Sequence, residues 1–254
     1  MEKRLTPLNN LICVTGNGGA GKSIVSLALA HYLSEKKDYI TILISADLFQ
    51  PMLPVFLPFD KNTYDRNISI GDLFLKGFTY ENPTNLTGRI RLHPSNNNLG
   101  FLGYVGGDNI LRYSSDIISN DKLTTLIEIL TKNFHADYII IDCNTNIEED
   151  ILSSFAVKNS DKKILVLSPD NKGVSYKRSQ EIFKNQADIT ILNNCYSYSP
   201  SKKLQDELNV GITLPHSKQA YEHFLTGDNF NFSDEFSTGI RKLAEQLLKN
   251  EEVK

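Results

Sequence analysis

Gly16-Asn17-Gly18-Gly19-Ala20-Gly21-Lys22-Ser23 gathers four glycines, a lysine and a hydroxyl into one short stretch. Those residue types together suit an anionic, metal-bearing ligand. Glycines have no Cβ, so successive backbone N–H groups can converge on phosphate oxygens. A helix beginning directly after such a loop aims the positive end of its dipole at the same spot. The spacing fits G-x-x-x-x-G-K-[ST], in which the lysine adds a cation at the terminal phosphates and the hydroxyl ligates Mg²⁺. A nucleoside triphosphate is therefore expected against the backbone of Gly18, Gly19, Ala20, Gly21, Lys22, Ser23 and Ile24, with Lys22 supplying charge and Ser23 holding the metal.

A carboxylate is needed to complete that metal site. Asp137-Tyr138-Ile139-Ile140-Ile141-Asp142 is an apolar strand ending in one. A parallel sheet delivers the carboxyl ends of its strands to the ligand crevice, which sets Asp142 beside Ser23 as the second metal residue, acting through water.

The elements required to position these groups are legible around them. Leu11 to Thr15 is a short apolar strand and Ile24 to Leu33 follows a helical pattern, so strand, loop and helix come in the required order. Further strands are expected over 39–46, 137–142, 163–168, 188–193 and 211–214. Helices are expected over 22–36, 122–134, 147–158, 173–185, 217–225 and 236–250. Strands alternating with helices predict an α/β fold, a mostly parallel doubly wound sheet flanked by helices. Residues 51–121 are less regular. Pro51, Pro54 and Pro58 interrupt helix, residues 70–76 suit a short helix, 89–92 and 99–104 suit strands, and Asn96-Asn97-Asn98 reads as loop. A long irregular segment on a regular scaffold is where a partner surface is expected.

Composition fits one soluble P-loop domain over residues 1–254, with 40% hydrophobic and 22% charged residues. No apolar run approaches the roughly 18 residues of a bilayer span. Lys3-Arg4 precede only the stretch that forms the first strand, so a cytoplasmic protein is expected. Cys13, Cys143 and Cys195 lack metal-type spacing and read as buried hydrophobes. The five histidines carry no ligand motif.

The loop resembles the deviant Walker A loop of the ParA/MinD ATPases, a SIMIBI-type P-loop family whose usual form is K-G-G-x-G-K-[ST]. Asn17 stands where that family has its signature lysine. Residues 38–50 are similar to the family's second strand and switch I, with Asp47 on the aspartate that helps position the attacking water and Ser45 in place of an earlier aspartate. Cys143-Asn144-Thr145-Asn146-Ile147-Glu148 runs parallel to its switch II. Asn146 holds a glycine position there and tolerates left-handed angles. Ile189 to Asn194 resembles a strand whose closing asparagine contacts the base, which implies Asn193, or else Asn194. Ile212 to Pro215, followed by Gln219-Ala220-Tyr221 and Gly227, is similar to the closing strand and helix.

The resemblance implies ATP and Mg²⁺ as ligands, Lys22 and Asp47 as catalytic residues, weak ATPase activity and an ATP-dependent homodimer. It implies a nucleotide-dependent switch in partition or positioning of a plasmid, a chromosome or a cell-surface or conjugation machine, with an unidentified protein cargo. Asn17 and Ser45 support the alternative of a hydrolysis-impaired localisation scaffold similar to TadZ and CpaE. A GTPase is disfavoured because no N-K-x-D motif lies near Asn193.

Nonspecific DNA would require Lys162-Lys163, Lys177-Arg178, Lys202-Lys203 and Arg241-Lys242 to gather into one basic stripe. The formal charge of −3 argues against a strong grip. The apolar stripe Ile240, Leu243, Ala244, Leu247 and Leu248 is expected to cover the sheet rather than a membrane, since Glu251-Glu252 follow it.

Overall fold

The computed structural model describes residues 10–57, 65–79, 83–105, 118–182, 187–197, 201–226 and 233–249. In chain order the elements are β1 (Leu11–Gly16), α1 (Lys22–Lys36), β2 (Thr41–Ser45), α2 (Leu53–Phe56), α3 (Ile70–Lys76), α4 (Thr84–Thr87), β3 (Arg91–His93), β4 (Asn96–Gly103) and α5 (Asn120–Lys132). There follow β5 (Tyr138–Asp142), α6 (Ile151–Asn159), β6 (Lys162–Leu167), α7 (Asn171–Ile182), β7 (Ile189–Cys195), α8 (Ser201–Leu208), β8 (Ile212–Pro215), α9 (Lys218–Thr226) and α10 (Glu235–Lys249).

The strands form an eight-stranded sheet in the order β3-β4-β2-β5-β1-β6-β7-β8. Every neighbouring pair is parallel except β3 with β4. β1, β2 and β5 are buried along their whole length, which is why they read as unbroken apolar runs rather than alternating ones. Alternate side chains leave opposite faces. Ile12, Val14, Ile140 and Val166 pack with α1 and α10, whereas Leu11, Cys13, Ile139 and Ile141 pack with α3, α5 and α6. Leu165, Leu167 and Leu192 form a smaller cluster under α7 and α8. The expected α/β, mostly parallel doubly wound sheet with helices on both faces is the architecture observed.

Several boundaries differ from the sequence expectation for physical reasons. The helix expected over 147–158 is broken, with a 3₁₀ turn at Ile147–Glu149 and then Asp150 in an extended conformation before α6. The Asp150 carboxylate accepts the Ser153 N–H at 2.7 Å, so an N-cap restarts the helix there. α8 was not anticipated, because its apolar residues reduce to Leu204 and Leu208 one turn apart. Asn96-Asn97-Asn98 begins β4 instead of forming a loop. His93 pairs with Asn96 across a tight reversal, and the Asn96 and Asn98 amides donate to Ser34 Oγ and Asp38 Oδ1, tertiary bonds that override a weak strand propensity. Pro58, Gly227, Lys3-Arg4 and Glu251-Glu252 lie outside the described residues.

α10 buries Ile240, Leu243, Ala244 and Leu247 against α1 and β8, with Leu248 partly covered. No described helix is long and apolar enough to cross a membrane.

Candidate functional site

The loop joining β1 to α1 runs past the tips of β6 and β7. Gly21 has φ +82°, and a Cβ there would lie 2.4 Å from Asn193 Nδ2, so both angle and space call for glycine. α1 starts at Lys22 with no side-chain cap. The first-turn N–H donors of a helix have no intrahelical partner. Such an uncapped start is an anion-receiving arrangement.

The three side chains singled out for phosphate and metal come together as expected. Ser23 Oγ donates to Asp142 Oδ2 at 2.7 Å, Ser26 Oγ reaches Oδ1 at 3.2 Å, and Lys22 Nζ donates to Thr145 Oγ1 at 2.8 Å. Asp142 is 2% exposed. Burial pushes its carboxyl up to about 6, against the opposing pull of the Lys22 charge and of the Ser23 and Ser26 hydroxyls. A dication beside it would reverse that cost. Among the described residues no group of three His, Cys, Asp or Glu side chains is suited to hold a metal. Mg²⁺ does not need such a cluster, since it binds through few protein oxygens together with phosphates and water.

Asp47 faces the same cleft. Its Oδ1 accepts the N–H groups of Phe49 and Gln50 at 3.0 and 2.8 Å and the Asn144 amide at 3.1 Å. Asn144 in turn accepts the Asn146 N–H and donates its own N–H to Ser153 Oγ. Asn146 has φ −92°, so the turn does not use the left-handed angle that the sequence comparison suggested. Ser45 is fully buried and accepts the Met52 N–H at 3.1 Å. Its hydroxyl serves the local backbone.

Asn17 points inward. Its amide donates to Ser168 Oγ at 2.9 Å and to Gly18 O, while its Oδ1 accepts the Ser168 N–H at 3.0 Å.

The two asparagines closing β7 divide their tasks. Asn193 is 1% exposed, and its amide braces the Ala20 carbonyl at 2.8 Å from behind the loop. Asn194 has φ +57° and lines the cleft. Of the two asparagines expected as a base contact, Asn193 has its amide committed beneath the loop and Asn194 is the one that lines the cleft. The register with β8 shifts between Leu192 and Cys195, where Asn194 takes its left-handed angle.

The cleft measures about 360 Å³, within the usual size range for small-molecule sites. Its far end is lined by Asn194, His216, Ser217, Ala220, Tyr221 and Phe236. Tyr221 is 55% exposed, and the His216 ring stacks on Tyr196 at 4.7 Å. Sequence reasoning gave His216 no role and missed Thr145 as a partner of Lys22. The signals available in the sequence were the asparagine pair closing β7 and the proline directly before His216.

Cys13 and Cys143 are buried, whereas Cys195 is only partly so. The four basic pairs do not share one face. Lys177 and Arg178 on α7 bond to Leu208 O and Glu207 of α8, while Arg241-Lys242 belong to α10 on the other side of the sheet.

No family model matches the chain, and no curated protein does. Solved structures do. The septum site-determining protein MinD from Pyrococcus horikoshii, complexed with Mg-ADP, is 22% identical with a TM-score of 0.72, covering 94% of this chain and 95% of its own. A plasmid partition protein from Borrelia burgdorferi bound to AMPPNP is 20% identical with a TM-score of 0.73, covering 96% and 100%. A ParA family ATPase from Chlorobium tepidum is 17% identical with a TM-score of 0.71, covering 93% and 98%. The chain has the fold of these MinD and ParA-family P-loop ATPases over nearly its whole length.

Proposed function

We propose that this chain, built on the fold of the MinD and ParA-family ATPases, is itself a ParA/MinD-like protein that binds Mg-ATP and hydrolyses it slowly. The observation carrying this reading is the Ser23 hydroxyl 2.7 Å from the buried Asp142 carboxylate, beside a glycine loop with an uncapped helix start. Backbone N–H groups of Gly18, Gly19, Ala20, Gly21, Lys22, Ser23 and Ile24 receive the phosphates, and Lys22 exchanges Thr145 for the terminal phosphates. Mg²⁺, held by Ser23 and through water by Asp142, would neutralise phosphate charge. Asp47 orients the attacking water, steadied by Asn144. Asn194 and Tyr221 receive the base.

At the level of process, the likeness to a septum site-determining protein and a plasmid partition protein supports a role in positioning or partition, and the cargo we propose is a plasmid, a chromosome or a cell-surface or conjugation machine. ATP would close two copies and hydrolysis would open them. Asn17 and Ser45 favour a second reading. Both side chains are committed within their own subunit, which suits a scaffold that binds nucleotide and turns it over poorly. Calorimetry with Mg-ATP, paired with steady-state hydrolysis and sedimentation, tests both. Heat of binding with turnover and ATP-linked dimers is the expected result, binding without turnover selects the scaffold, and the absence of heat rejects the site.

A further inference from the structure

We propose that Asn17 is a positioning residue that holds the phosphate loop in its receiving shape within a single subunit, so that triphosphate capture needs no side chain from a second copy. This rests on the reading of the loop as a nucleotide site.

Three observations carry it. Asn17 is 4% exposed, and its amide uses both ends on one partner: Oδ1 takes the Ser168 N–H and Nδ2 reaches the Ser168 hydroxyl. Ser168 is itself fixed, because its hydroxyl donates to Asp170 Oδ1 at 2.7 Å, and that same oxygen accepts the N–H groups of Lys172 and Gly173 at the start of α7. The loop also approaches β6 very closely one residue earlier, where a Cβ on Gly16 would fall 1.9 Å from the Val166 carbonyl oxygen. The start of the loop is thus pinned to the β6–α7 turn, and its far end is pinned to β7 through Asn193 and Ala20. A loop ordered before the ligand arrives pays less conformational entropy on binding.

The test is Mg-ATP titration of the full chain at concentrations where sedimentation shows single subunits throughout the titration, with melting temperatures of the nucleotide-free proteins measured alongside. The wild type is expected to bind Mg-ATP as a single subunit, ahead of any ATP-linked dimer. Asn17→Ala should weaken binding at least tenfold, Ser168→Ala less, since it keeps the backbone N–H bond. Asn17→Lys should also weaken binding rather than tighten it. A wild type that takes up Mg-ATP only as a dimer overturns the proposal, as does tighter binding by Asn17→Lys. An Asn17→Ala protein that melts earlier yet binds equally well also overturns it, leaving Asn17 a merely structural residue and the nucleotide site intact. A wild type that binds no Mg-ATP removes the nucleotide site and the proposal together.

Discussion

The two ends of the cleft are built on different principles. At the phosphate end the groups are backbone amides and short side chains locked to neighbouring strand tips: Ser23 on Asp142, Asn193 under Ala20, Asp47 between two N–H groups and Asn144. At the other end, Tyr221 and His216 offer rings that are exposed or stacked on another exposed ring. A polyphosphate presents fixed charge that rewards prepaid geometry. A flat base is satisfied by apolar area and one or two polar contacts, and many side chains supply those. On the proposed reading of the cleft, rigidity resides where the ligand's chemistry is least variable.

This contrast can be broken experimentally. The largest effect belongs to Lys22→Ala, expected to lower Mg-ATP affinity by about a hundredfold or more; unchanged calorimetric affinity would sink the assignment. Next is the charge buried behind the phosphate end. Burial raises the Asp150 carboxyl to about 6, in spite of its bonds from Ser153. The folded state therefore holds a proton that the unfolded chain, with the ordinary value of 3.8, releases earlier. This group's stabilisation is complete below about 4 and is lost as pH rises through about 6. Asp150→Asn should keep the cap and raise stability at pH 7.5 by about 1–2 kcal/mol relative to wild type, with little gain at pH 4. Denaturant melts at both pH values give the answer, and equal gains at both would contradict it. The smallest effect is expected at the base end, where Tyr221→Ala should cost about fivefold in ATP affinity and leave inorganic triphosphate binding unchanged. A loss of both would place Tyr221 in the phosphate machinery.

The same contrast explains what the sequence revealed. The phosphate loop, β1, β2 and β5 were legible because the chemistry restricts residue types at fixed spacing and because strands buried on both faces must be apolar throughout. Asp142 followed from its position at a strand end. The placements of Asn193 and Asn194 were not separable, since adjacent identical residues are distinguished by the register shift after Leu192 and the left-handed angle of Asn194. The placement of His216 in the cleft and of Thr145 beside Lys22 was missed because both arise from long-range packing. α8 escaped because two leucines one turn apart carry little periodic signal.

The buried seam of α10 bears on how lipid binding is to be assayed. Because Ile240, Leu243 and Leu247 back directly onto α1, the helix that leads out of the glycine loop loses its outer wall when the last helix is removed. A truncated protein that fails to sediment with vesicles would be reporting on a collapsed interior. Charge reversals at exposed Arg241 and Lys242 ask the same question of an intact molecule.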